Sequence, residues 1–144
     1  MLAQINMKTT YLRSLTLVAF SALCATLVGA DSAAYAQILR ERENVLSQLL
    51  KEQESRRASG HADEEAIFAA KVSLYSFRRD AAATNADKAK HQLMIVAAHE
   101  KKLAMIRAKA EIGGVANVEV LQATDRTLRA KQLLEELRMR EKTG

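Results

Sequence analysis

The sequence predicts an all-α protein: two antiparallel helical hairpins, forming a four-helix bundle or an elongated coiled-coil-like array, behind an N-terminal signal peptide. Three observations lead there. The chain has no proline, and it is rich in the Ala, Leu, Glu, Lys, Arg and Gln that favour long helices. Beyond Gln37 its apolar residues recur at steps of three and four, the rhythm of a helix face held against a partner. Residues 56–67 and 110–121 read as two copies of one glycine-centred turn.

The N-terminus reads as a sorting signal. Met1 or Met7 can start the chain, and Lys8 and Arg13 precede an apolar run over 15–30. That run is shorter than the roughly 20 apolar residues of a spanning helix. Ala34 and Ala36 put small side chains where signal peptidase inspects them, so cleavage is expected after Ala36. An uncleaved anchor is the competing reading. Cys24 lies inside the run, but Leu23 stands where lipidation wants a small residue, so the cysteine is read as part of the run. With 1–36 as signal peptide, the exported domain is 37–144, periplasmic or secreted, with no stable membrane span. It has no cysteine, so packing rather than disulfides must hold it.

Within 37–144 the expected repeats are about 37–83 and 84–142. The first helix runs over 37–58, with Leu39, Leu46 and Leu49 on one side. The second starts at Asp63 and carries Ile67, Ala70, Leu74, Phe77 and Ala81 at steps of 3, 4, 3 and 4. The third repeats the rhythm in Val96, His99, Leu103, Ile106 and Ala110. In the fourth, Leu121, Ala123, Leu128, Ala130, Leu134 and Leu137 form a broader stripe, as expected of a helix touching two neighbours.

The turns follow from local chemistry. Gly60 and Gly114 are expected to take the left-handed conformation that closes a helix, with Asp63 and Asn117 capping the next one. At an offset of 54, Gly60/Gly114, Ala62/Ala116, Glu65/Glu119, Ala69/Ala123 and Leu74/Leu128 are identical pairs. Thr84 and Asp87 resemble a capping box, which favours a break there. Without that break, 63–112 would be one rod of about 75 Å.

The phrase from Gly114, Val115, Ala116 and Asn117 through Glu119, Val120, Leu121 and Ala123 resembles the helical hairpins of the outer-membrane efflux protein (TolC) family. In that family a glycine turn is followed by a small residue, a cap, an acidic residue, an apolar pair and an alanine. Two such hairpins per subunit build a periplasmic tunnel whose tips meet an adaptor protein. The resemblance implies that Gly60, His61, Ala62, Gly114, Val115 and Ala116 are partner contacts. It does not extend to the family's membrane strands, which need alternating segments that this chain lacks. The implied role is an accessory or scaffold of an efflux or secretion assembly in the cell envelope, through a protein partner or self-association.

No chemistry competes strongly with that reading. His91 and His99 stand about 12 Å apart along a helix, so they do not share an ion unaided. Together with Met94 they motivate an alternative, a periplasmic metal- or stress-responsive binding protein, although the spacing specifies no metal site and no cofactor. Ser73 and Ser76 have no histidine one turn away, so no nucleophile is primed and no enzyme is expected. Asp63, Glu64 and Glu65 suit a helix N-terminus. The net charge of +5 comes without basic clusters interleaved with aromatics, which argues against nucleic acid.

Overall fold

The computed structural model describes residues 6–61 and 63–143, with side chains described from Ser32 onward. Among them are four helices and no strand: α1 (Asn6–Ala58), α2 (Glu64–Ala81), α3 (Asn85–Glu111) and α4 (Asn117–Thr143). The all-α expectation holds. The chain divides into two units, Met1–Arg42 and Glu43–Gly144.

The first unit contains the N-terminal part of α1, which starts well before the expected Gln37, and no glycine or proline interrupts it between Ser32 and Ala58. Tyr35 and Ile38 are exposed, and Gln37 donates to Glu41 one turn on. Among the residues whose side chains are described, no helix is long and apolar enough to cross a membrane. The apolar run over 15–30 falls outside that statement.

In the second unit, the end of α1 packs on α2, α2 on α3, and α3 on α4. Leu50, Ile67, Ala70 and Leu74 form one buried cluster, with Leu46 against it. Ala89, Ile95, Val96, Ala130, Leu134 and Leu137 form a second, joined from α2 by Tyr75. Each fully buried aliphatic side chain contributes about 1.5–3 kcal/mol. Three of the ten clustered residues are alanine, and the others are the larger aliphatics Leu, Ile and Val.

A polar tie crosses three helices. Gln92 is 1% exposed; its amide donates to the Ala130 carbonyl at 2.8 Å, and its carbonyl accepts from Arg79 Nη1 at 2.8 Å. Both ends of the buried amide are satisfied, which removes the desolvation cost of an orphaned group.

The break between α2 and α3 is present. The Ala82 N–H donates to Arg79 O, and the Thr84 hydroxyl accepts from the Asp87 N–H at 3.0 Å. Thr84 also donates to the Asp87 carboxylate at 2.7 Å. The helices therefore separate into two hairpins.

Several sequence expectations are corrected. Leu49 is 44% exposed, and Leu50 is buried in its place. A step of three or of four from Leu46 is equally helical, and the position of α2 selects four. On α4, Leu121 (63% exposed) and Leu128 (60% exposed) face outward. They form a stripe of their own, roughly 150° from the buried line Ala123, Thr127, Ala130, Leu134 and Leu137. Thr127 can be buried because its hydroxyl donates to Ala123 O at 2.8 Å.

The second turn is also shifted. The left-handed glycine there is Gly113 (φ 73°), not Gly114, matching Gly60 (φ 78°) in the first. Asn117 lies inside α4 rather than capping it, and Ala116 occupies the preceding position. In structure Gly60 corresponds to Gly113, Asp63 to Ala116, Ala70 to Ala123 and Leu74 to Thr127. The identical pairs of the sequence alignment run one residue out of step. They set buried Leu74 against exposed Leu128 and exposed Ala69 against buried Ala123, so they are not structural equivalents.

Candidate functional site at the hairpin tips

Both turns close by the same hydrogen bonds. In the first, His61 N–H donates to Arg56 O at 2.9 Å and Gly60 N–H to Arg57 O at 3.0 Å. In the second, Gly114 N–H donates to Lys109 O at 2.8 Å and Gly113 N–H to Ala110 O at 3.0 Å. This is the Schellman closure, which satisfies the last helical carbonyls and requires a left-handed residue just after the helix. Gly114 has its own reason to lack a side chain, since an added Cβ would lie 3.1 Å from Lys109 O.

The exits differ. The Asp63 carboxylate accepts from the Glu65 N–H at 2.9 Å, a side-chain cap with Glu64 and Glu65 in the favourable first turn. At α4 the alanine before the helix offers no side-chain acceptor.

Ion pairs set the relative height of the tips. Glu64 accepts from Lys101 at 3.3 Å and Glu65 from Lys102 at 2.6 Å, so α2 begins beside the middle of α3. From Lys102, α3 continues to Glu111, about 14 Å further. Both turns thus lie at one end of the second unit, with the second projecting beyond the first. Arg57 also reaches Glu64 at 3.0 Å, tying the end of α1 to the same carboxylate. These exposed pairs orient the helices more than they stabilise them.

The expected tip residues are not gathered into one pocket. His61 is exposed and borders a cleft with Glu52, Ser55, Arg56 and Ser59. Ala62 lies outside the described residues. Gly60, Gly114 and Ala116 are exposed. Val115 is half-buried in a cleft of about 250 Å³ with Glu65, Lys102, Ile106, Glu119 and Arg126. Glu65 links the base of the first tip to that cleft.

A longer groove runs between the start of α2 and α3, about 360 Å³, with Ile67, Phe68, Met105 and Ile106 along it and Lys71, Lys101 and Lys109 at its edges. Within this seam Phe68 meets His99 edge-on, with ring centroids 5.1 Å apart, and Lys102 Nζ lies 4.3 Å from the Phe68 centroid. Burial first, and then the charges of Lys102 and Arg126, hold the His99 pKa below its ordinary value. Sequence reading placed His99 in the apolar stripe but had no means of pairing it with Phe68.

His91 borders a different cleft, with Glu43, Phe77, Arg78 and Asp87. Met94 is largely exposed, and His99 faces the seam. The three do not converge, and among the described residues no group of three metal-ligating side chains does.

No protein-family model, curated protein or solved structure matches the chain.

Proposed function

We propose that the chain is an exported, non-enzymatic interaction protein of the cell envelope that engages a partner protein, or a second copy of itself, through its hairpin tips. The observation that carries this reading is the shared Schellman closure of the two turns at one end of the second unit. Glycine and alanine at the turns let a partner backbone come close, while Val115 offers an apolar contact in a cleft with charged residues on its walls. The short pattern from Gly114 to Ala123, similar to the tips of outer-membrane efflux proteins, supports an accessory or scaffold role in an efflux or secretion assembly. Export rests on the charged start, the apolar run and the small residues at Ala34 and Ala36, with the mature chain beginning at Gln37.

A photo-crosslinking residue at Val115, and separately at His61, tests the reading in cells. The expected product is one discrete envelope-protein or self adduct from each tip and none from the same residue at Leu93. Absence of adducts from both tips contradicts the proposal. N-terminal sequencing of the exported chain tests the address, and a start other than Gln37 contradicts that part.

A further inference from the structure

His99 occupies the step between buried Val96 and Leu103, and its ring enters the seam against Phe68. Its charged surroundings come from three helices. On α2, Glu65 is committed to Lys102 at 2.6 Å. On α3, Lys102 acts on His99 directly, and Glu100 is paired at 2.7 Å with Lys131 of α4. On α4, Arg126 acts on His99 as well, and it shares its cleft with Glu119. Among the described residues, no ion pair joins a carboxylate to His99. The imidazole therefore meets α2 through the neutral Phe68 ring, with the Lys102 ammonium 4.3 Å from the centroid of that same ring.

We propose that His99 is an acid-sensitive joint between the two hairpins: its protonation places a positive charge against the Phe68 ring of α2, in a half-buried seam that already holds Lys102, and loosens α2 from α3. Loosening widens the seam groove and uncovers Phe68, Met105 and Ile106. The direction follows from linkage. The folded-state pKa lies below the ordinary value of about 6.5, so the unfolded chain takes up its proton first. Stability from neutral His99 is intact above about pH 6.5, declines as pH falls towards the lowered value, and levels off below it.

Hydrogen exchange on the full chain at about pH 7.5 and 5.5, corrected for intrinsic rates, reads the joint directly. The expected result is roughly threefold or greater acceleration of α2 amides at the lower pH, with the C-terminal half of α4 unchanged. His99→Gln should remove the difference, whereas His61→Gln and His91→Gln should keep it. Arg126→Gln changes a cation without touching the ring, so it should retain the fold and raise the pH at which His99 titrates by NMR. An undiminished response in His99→Gln contradicts the proposal. So does a His99 titration midpoint at or above about 6.5 in the wild-type chain.

Discussion

Gln92 and Ala130 are joined by a 2.8 Å hydrogen bond from a side-chain amide to a backbone carbonyl, in the middle of the α3–α4 interface. The same amide accepts from Arg79, so one side chain fixes the heights of three helices at once. Buried alanines slide past each other at little cost, and a directional tie removes that freedom.

Replacing Gln92 separates its polar role from its volume. Gln92→Ala deletes both hydrogen bonds and leaves a cavity, with an expected loss of about 2–4 kcal/mol in urea unfolding. Gln92→Leu fills the space and should cost about 1 kcal/mol or less, because Arg79 keeps Asp80 as a partner. Equal losses from the two substitutions would show that the tie is immaterial.

Leu74 and Leu128 are identical in the sequence repeat and opposite in the structure. Leu74→Ala empties a buried site and should cost about 2–5 kcal/mol. Leu128→Ala, on an exposed face, should change stability by about 0.5 kcal/mol or less. Chemical denaturation of both variants checks the burial assignment.

The two adjacent glycines of the second turn should respond differently. Gly113→Ala forces a Cβ onto a left-handed residue and should cost about 1–2 kcal/mol. Gly114→Ala needs only a small displacement from Lys109 O and should cost less. The reverse order would place the turn one residue later, where the sequence alignment puts it.

Thr84 is exposed, so its contribution is confined to the cap. Thr84→Ala should cost about 1 kcal/mol, and Thr84→Ser should retain most of the stability. A loss in Thr84→Ser equal to that of Thr84→Ala would rule out the hydroxyl as the cause.

Much of the fold was legible because it is local. The first part of the α2 stripe follows from spacing alone: Ile67, Ala70 and Leu74 are buried as the 3, 4 rhythm requires, whereas Phe77 is half-buried and Ala81, the last residue of the helix, is exposed. The break at Thr84 was readable because a capping box is complete within four residues. What escaped depends on partners distant in sequence. Leu49 or Leu50, and Leu128 or Thr127, are decided by where the neighbouring helix lies, which periodicity cannot state to one residue. Gly113 or Gly114 is decided by which residue follows the last helical turn, and a glycine pair offers both. Gln92 was missed although it lies on the α3 rhythm between Ala89 and Val96. A polar residue at such a step was the available sign of a buried tie. At the tips, the turns could be read, but the cleft around Val115 could not, since it needs Glu65 from the other hairpin.

The central claim is that the polypeptide reverses at Gly60 and again at Gly113. Spin labels at Glu43 and Arg78, and at Glu100 and Lys131, report each reversal by pulsed dipolar spectroscopy after Cys24→Ser removes the native thiol. Those side chains form ion pairs at 2.8 Å and 2.7 Å, so label separations of about 10–20 Å are expected. Separations of roughly 45–55 Å, the span of uninterrupted helix between the labels, would contradict the account.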